Sequence, residues 1–405
     1  MLNVLTPNEA HETISKAFAD SKTGAETVHW SHALGRSAFE DITADEYVPG
    51  FDRSTVDGYA VKARDTFGCS ESIPALLPLA GEVLMGGEYD KLLMQDTCVA
   101  VPTGGHVPEG ADAVVMIEYT ENYGDGTIGI LKPAAPGDNM IYKGDDVYPG
   151  KVLIPKGTVI RSHDIGGLAS IGKEYVTVHK MPVVGIISTG DELVPISETP
   201  KPGQVRDVNT AMLASAIKDA GATPVMLGAV IDDREKLRAL VGKALEECDM
   251  VLISGGSSVG MKDATADIIG EYGEVLFHGI AIKPGKPTIL GKAGTKAIFG
   301  LPGHPVAAHF ITRIFVRPLI RSMCGSAEEP VTVDAKITEA ISSNHGRAEC
   351  MGAFLEKRED GLYAVPIHGK SGLITTIACS DGYFIIPRDC EGLPKGAVVP
   401  VTLYR

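Results

Sequence analysis

Apolar residues change their spacing several times along the chain, and each change predicts a different kind of element. Thr6-Pro7-Asn8-Glu9 precedes apolar positions at Ala10, Ile14 and Phe18. A hydroxyl followed three residues later by a carboxylate, with proline just inside, starts a capped helix. Beyond about residue 40, β-type runs at 76–79, 98–102, 113–117 and 127–131 alternate with Gly, Pro and Asp turns and predict a strand-rich N-terminal region. Their order in a sheet is not written in such a pattern.

From residue 182 to about 323 the pattern becomes regular. Apolar runs at 183–187, 224–230, 250–254, 287–290 and 296–300 predict strands, and helical spacing at 210–220, 234–248, 263–272 and 306–323 predicts helices between them. Alternating strands and helices imply a doubly wound α/β domain with a mostly parallel sheet covered on both faces. After residue 330 the helical spacing disappears, and 331–341, 353–357, 363–366, 384–387 and 398–403 read as short strands. The expected architecture is multi-domain, α/β plus β. Residues 1–178 form an N-terminal region of two interleaved subdomains, the inner one about 47–146. A central α/β domain covers 179–327, and a small all-β, barrel-like domain covers 328–405.

Composition supports a fully folded chain. A length of 405 residues exceeds one compact core, and 44% hydrophobic with 22% charged residues is ordinary for globular proteins. The formal net charge of −15 argues against nucleic acid and anionic membranes as partners, since both need a basic footprint. An anionic ligand must therefore be captured by local donors. Seven cysteines at 69, 98, 248, 324, 350, 379 and 390 include no C-x-x-C pair, which predicts free thiols in a reducing compartment. The first seven residues carry no basic segment before an apolar core, and no later apolar run approaches a membrane span. The expected location is the cytoplasm.

In doubly wound sheets ligands bind where the chain leaves the carboxyl ends of the strands. Those loops here are 188–192, 232–233, 254–260 and 301–305. Ser254, Gly255, Gly256, Ser258 and Gly260 lie where a strand runs into a helix, and glycines there let backbone N–H groups converge on a phosphate. The loop lacks the lysine of a Walker A motif and the spacing of G-x-G-x-x-G, and a plain strand-to-helix turn accounts for the same residues. Asp191, Glu192, Asp232, Asp233 and Asp263 would share the same rim as hard oxygen ligands suited to Mg²⁺, with helix capping an equal reading for Asp232, Asp233 and Asp263 taken singly. Lys283-Pro284-Gly285-Lys286-Pro287 holds two ammonium groups on a stiff segment suited to an oxyanion. His304 stands in the rigid turn Leu301-Pro302-Gly303-His304-Pro305, where a structural role is the commoner one. Further loops contain Asp57, Thr103 and Asp146. Trp30 belongs to no base-stacking stripe, and no Ser/His/Asp arrangement can be assigned from spacing.

Taken as a set, Ser54-x-x-Asp57-Gly58-Tyr59-Ala60, Pro102-Thr103-Gly104, Ser188-Thr189-Gly190-Asp191-Glu192-Leu193, Ser254-Gly255-Gly256-x-Ser258-Val259-Gly260, Lys283-Pro284-Gly285-Lys286-Pro287 and Leu301-Pro302-Gly303-x-Pro305 resemble the molybdopterin molybdenumtransferases, the MoeA family that includes the E domain of gephyrin. The resemblance covers nearly the whole chain. It implies that adenylylated molybdopterin and molybdate are bound, the phosphoanhydride is cleaved with Mg²⁺, metal enters the dithiolene and AMP leaves. It also implies an elongated homodimer of four-domain subunits, with the site between the central domain of one subunit and the N-terminal region of the other. A transient contact with a molybdopterin adenylyltransferase would deliver the substrate.

By the same resemblance, catalytic positions fall on Asp57, Thr103, Asp146, Glu192, Asp232, Asp263 and Lys283, with Glu192, Asp232 and Asp263 as Mg²⁺ ligands. The Ser254 to Gly260 loop takes the pterin's terminal phosphate, Pro302 and Pro305 belong to the substrate site, and Lys286, Arg347 and Ser371 bind molybdate. This chain departs from the family pattern at Gly279, where some members carry Lys, and at Arg53 and His304, where Asn is common; His278 is a neighbouring substitute for the missing base. Two other functions share parts of the pattern. A scaffold like gephyrin would need the fused adenylyltransferase domain and linker that this chain lacks, and a lone adenylyltransferase would need only 182–323.

Overall fold

In a computed structural model, residues 4–231, 233–255, 259–327 and 330–404 are described, with backbone alone for 259–263. The first helix, Pro7–Ala17, is closed by the expected capping box: the Glu9 N–H donates to Thr6 Oγ1 at 3.3 Å, and the Thr6 N–H donates to Glu9 Oε2 at 2.7 Å. Such a cap contributes about 1 kcal/mol. Its apolar stripe, Ala10 and Ile14 with Phe18 beyond, packs into the core of the central sheet rather than against the N-terminal strands that follow it in sequence.

The N-terminal portion has two layers. Ala25–His29 pairs antiparallel with Tyr175–His179, so the outer layer is closed by strands from both ends of the segment around Ala38, Ile160, Leu168 and Val178. Inside lies a six-stranded sheet in the order Ala113–Met116, Gly58–Val61, Cys98–Val101, Ala75–Glu82, Thr127–Ile130, Thr120–Asn122.

The central sheet follows the order Thr223–Val230, Val183–Thr189, Met250–Gly255, Lys296–Leu301, Ile289–Ala293, Glu274–His278. Its first three neighbouring pairs are parallel and its last two antiparallel. Side chains alternate between faces. Ile186, Leu252 and Phe299 meet Leu213, Ile217 and Phe310 on one side, while Ile187, Ile253 and Ile298 meet Leu237, Val241 and Ile268 on the other. Both faces are therefore covered by helices.

Four elements differ from expectation, the first being the edge strand Glu274–His278, which the apolar spacing does not predict. The strand expected at 287–290 runs Ile289–Ala293, and the helix expected from 263 already begins at Val259. The long helix expected over 306–323 is Pro305–Ile311 and Arg317–Met323 joined through a π-helical stretch, Thr312–Val316. The widening lies just before Pro318, which has no N–H to give and whose ring crowds the carbonyl four residues earlier.

The C-terminal strands Thr332–Ile337, Ala348–Arg358, Gly361–Pro366, Gly382–Ile386 and Val398–Leu403 close into a barrel, because Ala348–Arg358 pairs with both Gly361–Pro366 and Gly382–Ile386. A helical turn, Thr375–Ala378, interrupts the all-β expectation, and a short strand lent by the central part, Ile282–Lys283, pairs in parallel with Ala348 and Glu349.

Candidate active site

A cavity of about 630 Å³ lies over the ends of two parallel strands. Its floor is Ser188 and Thr189 from one strand and Ser254 and Gly255 from the next; Glu192 and Asn209 stand at its sides, and His304 and Pro305 border it from the turn after Lys296–Leu301. Gly255 has φ +137°, and a Cβ there would lie 2.1 Å from the Thr189 carbonyl oxygen. Only glycine permits this approach of the two strand ends.

The polar wall is tied from within the sheet. Asp207 caps the helix Val208–Asp219, accepting from the Thr210 N–H at 3.0 Å, the Thr210 hydroxyl at 2.6 Å and the Ser188 hydroxyl at 3.2 Å. Asn209 Nδ2 donates to Ser254 Oγ and to the Gly303 carbonyl, both at 2.8 Å. A carbonyl can only accept, so this bond fixes the amide orientation and turns Oδ1 away. Asn209 Oδ1 and Thr189 Oγ1 are buried without a partner among the described residues. An unpartnered buried group costs about 1–3 kcal/mol, so polar atoms of this kind in a cavity wall mark where an incoming ligand would improve matters. Sequence reading missed Asp207 and Asn209, although Asp207-x-x-Thr210 before an apolar helix is an N-cap signature.

A second cavity of about 1040 Å³ opens beside the first, between the central part and the barrel, and shares His304 and Gly372 with it. Lys283, Lys370 and Ser371 line it. Lys283 Nζ is 2.7 Å from Glu349 Oε1, and the Ser343 hydroxyl donates to Glu349 Oε2 at 2.6 Å. The parallel pairing of Ile282–Lys283 with Ala348 and Glu349 sets this ion pair.

The remaining candidates are distributed as follows. Pro302 is buried in its turn, Lys286 is exposed and Arg347 half-buried, and none of them lines either cavity. Asp57 lies on the N-terminal portion, where its Oδ1 accepts from the Thr103 N–H at 2.7 Å and the Thr103 hydroxyl at 3.0 Å. These two bonds, the backbone one foremost, hold its carboxyl below the usual range. Asp146 is exposed on the same portion, and its N–H donates to the Val48 carbonyl at 3.1 Å. The structure therefore joins Asp57 to Thr103 but brings neither of them, nor Asp146, to the two cavities.

Asp232, Gly256, Ser258 and the side chain of Asp263 lie outside the described residues; Gly260 falls in the helix Val259–Tyr272. Asp233 is a helix cap, accepting from the N–H groups of Glu235 and Lys236 at 3.0 and 3.2 Å. Among the described residues no group of three metal-ligating side chains forms. Glu192 is exposed at the first cavity; its backbone carbonyl accepts from the Val205 N–H at 2.9 Å, while among the described residues its carboxylate has no hydrogen bond or ion pair, which leaves those oxygens open to a hard cation. The seven cysteines are free thiols, and among the described residues no helix is long and apolar enough to cross a membrane.

Comparison with known proteins covers nearly the same span as this geometry. Residues 5–172 match the MoeA N-terminal region (domains I and II), 185–322 a probable molybdopterin binding domain, and 334–404 the MoeA C-terminal region (domain IV). The molybdopterin molybdenumtransferase of Bacillus subtilis (strain 168) is 34% identical, over 100% of this chain and 96% of its own length. Molybdopterin molybdenumtransferase 1 of Mycobacterium tuberculosis (strain H37Rv) is 32% identical over 92% and 93%. The crystal structure of the molybdopterin biosynthesis MoeA protein of Pyrococcus horikoshii superposes with a TM-score of 0.85 at 39% identity, covering all of both chains.

Proposed function

The chain belongs to the MoeA family of molybdopterin molybdenumtransferases, enzymes of molybdenum cofactor biosynthesis, and on that premise we propose that it cleaves adenylylated molybdopterin, inserts molybdate-derived metal into the dithiolene and releases AMP. The observation that carries this reading is the pair of adjoining cavities. One offers a glycine-shaped floor, an unpartnered Thr189 hydroxyl able to donate to a phosphate and an unpartnered Asn209 Oδ1 able to accept from a ligand N–H or O–H; the other offers lysines suited to an oxyanion, and His304 borders both. A reaction that brings an oxyanion to a pterin needs two such neighbouring sites.

In this reading Ser254, Gly255, Gly256, Ser258 and Gly260 cradle the pterin's terminal phosphate, with Pro305 on the cavity wall and Pro302 buried in the turn behind it. Lys283 stands where negative charge is transferred; Ser371 receives molybdate in the lysine-bearing cavity, and Lys286 and Arg347, which the resemblance assigns to the same ion, would reach it from outside that lining. Glu192, with Asp232 and Asp263, would hold Mg²⁺, which when bound would offset phosphate charge as the anhydride opens. Asp57, aligned by Thr103, and Asp146 would come from the second copy of a homodimer, consistent with their distance from both cavities in one chain. The oxyanion is molybdate or its near-twin tungstate. Delivery of substrate by a molybdopterin adenylyltransferase, a cytoplasmic location and domain limits near 178 and 327 complete the proposal.

The test is AMP release from adenylylated molybdopterin with Mg²⁺, with and without molybdate, alongside reconstitution of an apo-molybdoenzyme. Molybdate-dependent release with reconstitution is expected. Binding of protein partners without turnover would favour the scaffold reading instead.

A further inference from the structure

His304 is the side chain of the Leu301 to Pro305 turn that the reading above leaves without a task. It borders both cavities, and its Nδ1 lies 2.6 Å from the hydroxyl oxygen of Ser371, 67 positions along the chain. Two residues further on, the Val306 N–H donates to the Ser371 carbonyl at 3.2 Å. One turn of the central part thus holds both the backbone and the side chain of a serine that belongs to the C-terminal part, at the mouth of the lysine-bearing cavity.

A serine hydroxyl has one proton and two lone pairs. If Ser371 donates that proton to the imidazole, it presents only lone pairs to the cavity and repels an anion. If the imidazole instead donates its Nδ1–H to Ser371, the hydroxyl proton stays free to point at a ligand. Lys283 and Lys370 line the same cavity against the single carboxylate of Glu349, which Lys283 pairs at 2.7 Å, so the lining carries one cation in excess and only the second arrangement agrees with it in sign. His304 is exposed, and in this tautomer its Nε2 can accept from water.

We propose that His304 is a positioning residue: it donates through Nδ1 to Ser371 and thereby keeps the Ser371 hydroxyl as a hydrogen-bond donor to a tetrahedral oxyanion. This rests on the reading that the lysine-bearing cavity takes the oxyanion. Asparagine at this position would supply an N–H to the same oxygen, whereas alanine would leave the hydroxyl free to turn either way.

The experiment uses the full chain. Molybdate is titrated by calorimetry, and molybdate-dependent AMP release is measured for wild type, His304→Ala, His304→Asn, Ser371→Ala and the double variant His304→Ala/Ser371→Ala, with thermal unfolding followed for each. The expected result is that Ser371→Ala weakens molybdate binding about tenfold, as loss of one hydrogen bond to an ion does, and that His304→Ala, which keeps the hydroxyl but not its orientation, weakens it about threefold. The effect should fall on KM for molybdate far more than on kcat, His304→Asn should recover most of the affinity, and the double variant should be no weaker than Ser371→Ala. Wild-type affinity in a folded His304→Ala, or a further loss of about threefold when it is added to Ser371→Ala, would overturn the proposal. If wild type itself neither binds molybdate nor responds to it, the assignment of the cavity falls first and this inference with it.

Discussion

The floor of the strand-end cavity is shaped by backbone and neutral polar groups, whereas the polar end of the neighbouring cleft is shaped by an ion pair between segments far apart in sequence. In the first, Gly255 and Thr189 approach because neighbouring parallel strands put them there, and Asn209 is fixed by two hydrogen bonds. In the second, Lys283 is where it is because Glu349 accepts it and a two-residue strand joins the barrel. The difference teaches which property each site reads. A backbone-walled cavity discriminates by shape and hydrogen bonding; a charge-walled one discriminates by sign and tolerates near-identical anions.

The sharpest way to break this comparison is Gly255→Ala. A Cβ at φ +137° and 2.1 Å from the Thr189 carbonyl oxygen forces the strand ends apart. A cost of about 2–4 kcal/mol is expected, with loss of pterin-nucleotide binding by fluorescence titration. Molybdate titration should survive in the molecules that remain folded. If both ligands are lost together, the two cavities are one site.

The next effect tests the helix that both cavities lean on. His309 is half-buried with its Nε2 fully enclosed, its ring edge-on to Tyr404 at 5.1 Å between centroids, and desolvation together with the nearby Arg313 charge pushes it from the ordinary 6.5 to about 4. The folded state therefore prefers the neutral ring, and stability is lost as pH falls from about 6.5 through about 4, by roughly 3 kcal/mol in all. His309→Phe should remove this acid sensitivity, as read from urea unfolding across that range. An unchanged acid profile would assign the sensitivity to other groups.

A smaller change sharpens the charge-walled side. Glu349→Gln keeps an acceptor for Ser343 but releases Lys283 from its counter-charge. Molybdate should then bind about three- to fivefold tighter by calorimetry, the equivalent of roughly 1 kcal/mol. Weaker binding would mean that Glu349 serves chiefly to aim the lysine. The smallest effect is expected on the N-terminal portion. Thr103→Ala removes one of two bonds to Asp57 and leaves the backbone bond in place. The Asp57 pKa rises towards its ordinary value, so activity that needs the carboxylate fails at a higher pH on acidification, while the plateau rate drops by less than about threefold.

Much of the central part was legible because its signals are local. The apolar run at 183–187 became the buried strand Val183–Thr189, and Thr6 with Glu9 formed the cap their spacing predicts. The loops at the strand ends followed from that alternation. What could not be read depends on contacts between distant segments. Lys283 and Lys286 look equivalent within one Pro-stiffened motif, yet strand pairing sends the first into the cleft and leaves the second exposed. Likewise, the stripe of Ala10, Ile14 and Phe18 announces a buried face without saying which core receives it.

The outer N-terminal layer has a consequence for synthesis on the ribosome. Ala25–His29 emerges early but pairs with Tyr175–His179, about 150 residues later. At 5–20 residues per second, the early strand waits roughly 7–30 s for its partner. Meanwhile every strand of the inner six-stranded sheet, Gly58–Val61 through Thr127–Ile130, has already been made. The inner layer can therefore be complete before the outer one closes, so a ribosome stalled just before Tyr175 should display a folded inner sheet with Ala25–His29 still open to protease.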